Sequence, residues 1–176
     1  MSFQPIIFLD LDGVLLTYQD CGIYSMPGFR WNYNCVEKFN EFVKEINPII
    51  VISSNWRLHY SKQKLQQIFI TNGVKCEISA FTKKLSRGSL YNPITRGLEI
   101  YTWLEDHGVE GQSWCAIDDT KIFYDRNEDC DDFYLDKDSI NTIIKEHSFI
   151  TPDTVGFDET AKNKLIETIQ FAPKWK

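Results

Sequence analysis

Three short apolar runs constrain this chain more than any other feature: Ile6-Ile7-Phe8-Leu9, Ile49-Ile50-Val51-Ile52 and Ser113 to Ile117. Each is continuous rather than alternating, the pattern of a strand covered on both faces, as in parallel sheets. Between them lie segments of helical spacing. Residues 35–46 place Cys35, Val36, Phe39, Phe42, Val43 and Ile46 on one face, Asn34 and Glu37 predict a capping box, and Pro48 ends the helix. A second helix starts near Ser61, uses Leu65, Ile68 and Phe69, and stops at Asn72-Gly73. Thr95 to His107 reads as a third, with Leu98, Tyr101 and Leu104 on one face and Gly108 closing it. Ala161, Leu165, Ile166 and Ile169 give a last helix over 159–171. Val74 to Tyr91 reads as one strand and a loop, and Phe149-Ile150 as a weaker strand. Strands alternating with helices predict an α/β fold, a parallel sheet with helices on both faces. With 176 residues and no repeat or linker, the expectation is a single domain over 1–176.

Each apolar run ends in chemically reactive side chains. Leu9 leads into Asp10, Ile52 into Ser53, and Ile117 into Asp118-Asp119. The carboxyl ends of strands in an open parallel sheet form its ligand crevice, so three distant segments should converge there. Asp10 and Asp12, at i and i+2, project to one side of an extended segment, and Gly13 lets the chain turn away. A strand followed by a solvated Asp-Gly turn would look the same. Ser53, Ser54 and Arg57 offer hydroxyl and guanidinium donors suited to phosphate oxygens, although Ser and Asn here also suit a helix N-cap. Asp10, Asp12, Asp118 and Asp119 gathered in one crevice would repel strongly. A hard divalent cation with oxygen ligands, such as Mg²⁺, resolves the repulsion.

Taken together, Asp10-Leu11-Asp12-Gly13, then Ser53, then Asp118-Asp119 resemble the haloacid dehalogenase (HAD) superfamily in order and spacing, over roughly residues 5 to 125. The resemblance implies a Rossmannoid three-layer sandwich and a Mg²⁺-dependent phosphatase working through an aspartyl-phosphate. It makes Asp10 the nucleophile and Asp12 the general acid and base, whose backbone carbonyl also helps hold the metal. Ser53 would bind the phosphoryl group, and Asp118, with Asp119 directly or through water, would complete the metal site. Arg96 is the expected cationic phosphate ligand, with Lys83, Lys84 and Arg87 as alternatives. The 40 positions between Gly13 and Ser53 leave room only for a flap over Tyr18 to Trp31, which implies a minimal-cap member with an open site. Ser53-Ser54-Asn55-Trp56-Arg57 and the Arg96 to Leu104 segment further resemble HAD modules associated with RNA repair. The substrate implied is a phosphorylated small molecule, nucleotide or nucleic-acid end. A noncatalytic module binding a phosphorylated partner, and a phosphotransferase or nucleotidase, are the alternatives.

Other features narrow the field. Five cysteines without a CxxC pair fit neither a disulfide framework nor the usual zinc spacings, and predict reduced thiols in a cytoplasmic protein. Asp10 and Asp12 cut the first apolar run, so neither a signal peptide nor a membrane span is expected. No obligate protein partner is evident. Asp125, Asn127, Asp129 and Asp136 occupy EF-hand positions, but Cys130 stands where the loop needs glycine, so the stretch reads as an acidic loop. His59, His107 and His147 lack metal spacing. Trp31, Trp103 and Trp114 read as core or flap residues, and Trp56 as a candidate base-stacking platform. The net charge of −6 hides a division: residues 57–96 hold eight Lys or Arg against Glu77, and residues 97–147 hold 14 acids against four bases. The basic stretch is therefore a candidate guide for a polyanionic substrate.

Overall fold

The computed structural model describes residues 4–17, 31–85, 93–109, 111–123 and 137–171. Among these residues five strands form one sheet: β1 (Ile6–Leu9), β2 (Ile49–Ile52), β3 (Ile78–Phe81), β4 (Trp114–Asp118) and β5 (Ser148–Ile150). All pairings are parallel, in the order β3-β2-β1-β4-β5. The helices are α1 (Tyr33–Ile46), α2 (Lys62–Thr71), α3 (Pro93–His107), α4 (Lys137–Glu146) and α5 (Glu159–Phe171), with a 3₁₀ turn over Asn55–Leu58. The chain therefore has the α/β, Rossmann-like arrangement that its apolar runs predict.

The continuous runs are buried on both faces because alternate residues serve different cores. Ile7, Leu9, Ile50 and Ile52 pack with Phe39 and Phe42 of α1, Leu65 and Phe69 of α2, and Leu165 of α5. Ile6, Phe8, Val51 and Ala116 pack with Ile100 and Leu104 of α3 and Ile144 of α4. Every residue of β1 is fully buried, each contributing about 1.5–3 kcal/mol of transfer free energy. Helices α1, α2 and α5 make one layer and α3 and α4 the other.

Three local expectations change. Asn32, not Asn34, caps α1, its side-chain oxygen accepting from the Cys35 N–H at 3.1 Å. That N–H is the third of the helix, the one an N-cap side chain satisfies. Asn47, in a left-handed conformation, ends the helix one residue before Pro48. Helix α4 has no counterpart among the elements that the periodicity predicts. The flap over Tyr18 to Trp31 falls, up to residue 30, outside the described residues, as do the acidic loop over Asp125 to Asp136 and Arg87. Among the described residues no helix is long and apolar enough to cross a membrane.

Candidate active site

Sheet order fixes where the site lies. The chain moves outward from β1 through β2 to β3, then returns to the other side of β1 as β4. This reversal opens a crevice beyond the carboxyl ends of β1 and β4. Register then sets the contents. Leu9 pairs with both Ile52 and Ile117, so Asp10, Ser53 and Asp118 stand abreast, one residue further along. The Asp10 N–H donates to the Ile117 carbonyl at 2.9 Å, and the Ser53 N–H to the Leu9 carbonyl at 3.1 Å. Asp10, Ser53 and Asp118 are all buried.

One oxygen from each of Asp10, Asp118 and Asp119 falls within 4.8 Å of the others. Arg96, near the start of α3, projects among them, donating from Nη1 to Asp10 Oδ2 at 2.6 Å and to Asp118 Oδ2. Thr120 holds the other Asp118 oxygen through its backbone N–H (3.0 Å) and its hydroxyl (2.8 Å). Gly13, at φ +66°, admits Asp119: a Cβ there would collide with the Asp119 carboxylate. Gly97 has the same function beside Arg96, since a Cβ on it would meet the Ile122 carbonyl.

Burial and then the Asp10 charge raise the Asp118 carboxyl to about 6, against the pull of Arg96. Burial, then the charges of Asp10 and Asp118, raise Asp119 to about 7. For Arg96 burial acts downward, but the charges of Asp10 and Asp118 outweigh it and hold the guanidinium above its ordinary value. Three carboxylates around one guanidinium are under-compensated, and Asp10 Oδ1 is buried with no hydrogen-bond partner among the described residues. An all-oxygen donor set with an unpaired buried acceptor fits a hard divalent cation.

Not every expected residue faces this cluster. Arg57, expected as a phosphate donor, is buried and turned inward. It donates from Nε to the Thr82 carbonyl at 3.0 Å, from Nη1 to the carbonyls of Ser53 and Ser54, and from Nη2 to buried Glu99. Glu99 takes the Leu85 N–H on its other oxygen at 3.0 Å. The guanidinium thus braces the β2 loop from behind, and burial lowers its pKa. Ser54 likewise caps the 3₁₀ turn, its Oγ accepting from the Trp56 N–H. For Ser54 and Arg57 these contacts are structural, while Ser53 stands beside Asp10 at the strand ends. Lys83 pairs with Asp106 at the surface and Lys84 is exposed, so Arg96 is the described candidate that reaches the acids.

The Asp12 carboxylate stands outside the three-acid group and accepts from the Trp56 indole Nε1–H at 2.9 Å. Trp56 is only 8% exposed, which removes it as a base-stacking platform. Thr151, which sequence reasoning misses, ties the two acidic loops together. Its N–H donates to the Asp118 carbonyl at 2.9 Å and its hydroxyl to the Gly13 carbonyl at 3.0 Å. Thr120, also missed, carries a legible signal, a hydroxyl two residues after an aspartate. Thr151 follows a three-residue strand and carries none.

Residues 6–160 match the family model described as the HAD domain in Swiss Army Knife RNA repair proteins. No curated protein and no solved structure matches the chain.

Proposed function

The chain belongs to the family of HAD domains in Swiss Army Knife RNA repair proteins, and from that premise we propose a divalent-cation-dependent phosphomonoesterase acting on phosphorylated nucleic-acid ends. One observation carries the reading: Asp10, Asp118, Asp119 and Arg96 converge at the point where strand order reverses.

In this reading a carboxylate oxygen of Asp10 attacks phosphorus while the P–O bond to the leaving group breaks, giving an aspartyl-phosphate. Asp12 gives its proton to the departing oxygen. It then takes a proton from water, whose oxygen attacks phosphorus, releasing inorganic phosphate and restoring the Asp10 carboxylate. Ser53 hydrogen-bonds the phosphoryl oxygens. Arg96 holds the nucleophile in place and offsets charge on the phosphoryl group. Asp10, Asp118, Asp119 and the Asp12 carbonyl would hold Mg²⁺, which when bound neutralises charge developing in the transition state. The family's association with RNA repair supports a polynucleotide end as the substrate.

The test is a panel of sugar phosphates, nucleotides, and 3′- and 5′-phosphorylated oligoribonucleotides, with Mg²⁺ or EDTA. We expect phosphate release from an oligonucleotide end, abolished by EDTA and reduced at least about 10³-fold in Asp10→Asn. Full turnover by Asp10→Asn would overturn the mechanism. Binding of a phosphorylated ligand without turnover would favour a noncatalytic module instead.

A further inference from the structure

Between Trp56 and Asp12 runs a contact that the proposed chemistry leaves without a role. The indole Nε1–H donates to Asp12 Oδ2 at 2.9 Å across 44 residues of sequence. An indole nitrogen donates only, so this bond has one direction. The ring is held on several sides. Trp31 meets it edge-on at 6.0 Å and 84°, Tyr60 lies at 5.6 Å, and Ser54 caps the 3₁₀ turn that carries it. The Arg57–Glu99 pair braces the same turn from beneath. Asp12, by contrast, is only half-buried and sits in the tight loop beyond β1.

Resting on the phosphomonoesterase reading, we propose that Trp56 is a positioning residue, holding the Asp12 carboxyl in the orientation from which it serves the leaving group. Trp56 touches no reacting atom. Its effect on the first half-reaction, phosphoryl transfer to Asp10, which kcat/KM reports, is therefore confined to substrates that need a proton on departure. An alkyl phosphate does, since its alkoxide is a poor leaving group, whereas p-nitrophenolate leaves with little help.

The experiment compares wild type with Trp56→Phe, which keeps an aromatic ring and deletes the N–H. The substrates are a nucleoside 3′-monophosphate and p-nitrophenyl phosphate, at saturating Mg²⁺. We expect kcat/KM for the alkyl ester to fall about 10-fold or more and kcat/KM for the aryl ester to fall no more than about 3-fold. In an Asp12→Asn background the same substitution should add less than about 2-fold. Equal losses of kcat/KM on both substrates would overturn the proposal and mark Trp56 as structural. If wild type turns over neither ester, the phosphomonoesterase reading fails and takes this one with it. Should Trp56→Phe not fold, the indole ¹⁵N–¹H resonance of Trp56 decides. Its displacement by Asp12→Asn supports the proposal, and an unmoved resonance overturns it.

Discussion

At the scale of single residues, the site is a problem in charge compensation solved by two arginines in different ways. Arg96 faces the acids; Arg57 faces away and is neutralised by Glu99, with both side chains of that pair almost completely shielded from water. Truncating one member of a buried pair strands the other's charge. We therefore expect Glu99→Ala to lower unfolding free energy in urea by about 3–5 kcal/mol. A loss below about 1 kcal/mol would mean that water screens the pair as at a surface. The exposed Lys83–Asp106 pair supplies the contrast, and its removal should change stability by less than about 1 kcal/mol.

The acids themselves predict a pH dependence. Asp118 and Asp119 are raised to about 6 and about 7 from 3.8, so the folded chain binds their protons more tightly than the unfolded chain does. Stability in EDTA is then greatest near and below pH 3.8 as far as these two groups are concerned, and is lost as pH rises through 6 and 7. A divalent cation competes with those protons, so its stabilisation should grow across the same window. Thermal unfolding at pH 5 and pH 8, with and without Mg²⁺, checks this. A larger Mg²⁺ effect at pH 5 would contradict it.

At the scale of elements, the sequence reveals those whose burial is complete and hides those defined by context. β1, β2 and β4 are legible because both faces are covered, so each run is apolar until β4 reaches its last residue, Asp118. α4 escapes notice although Ile140, Ile143 and Ile144 have helical spacing. Their β-branched side chains and the intervening Asn141 and Thr142 are poor helix formers, and packing on α3 decides the matter. The acidic residues of the site are readable as strand endings. Arg57 is not, because a guanidinium donating to three carbonyls has the same composition as one waiting for phosphate. α3 shows how a short motif combines roles: Arg96 enters the site, Glu99 holds Arg57 three residues on, and Gly97 lies against the Ile122 carbonyl. Gly97→Ala must push the helix from the β4 loop. It should destabilise by about 1–3 kcal/mol and lower kcat with it, as measured by urea unfolding and steady-state kinetics. Unchanged kinetics would separate the position of Arg96 from the approach of α3.

At the scale of the whole molecule, the net charge of −6 conceals where the positive charge is usable. Of the basic residues from 57 to 96, Arg57 and Arg96 are compensated internally and Lys83 is paired at the surface. Lys62 and Lys64 lie in the first turn of α2, which comes after β2, and Lys83 and Lys84 come after β3. All strands run parallel, so the segments beyond their carboxyl ends begin on the same side as the acidic site. Lys62, Lys64 and Lys84 are exposed there. On the reading that a phosphorylated end binds at Asp10, these lysines are the candidates to contact the backbone that trails from it. Neutralising roughly two to three phosphates of a single strand gives a salt slope of about −0.7 per phosphate, hence a fall in kcat/KM of roughly 5- to 20-fold from 50 to 200 mM salt. For p-nitrophenyl phosphate, which has no trailing backbone, the change over that range should stay within about 2-fold. Lys64→Ala combined with Lys84→Ala should flatten the oligonucleotide response without altering turnover of the aryl ester. An oligonucleotide response as flat as that of the aryl ester in the unaltered protein would mean that recognition ends at the phosphate itself, with the lysines serving only solubility.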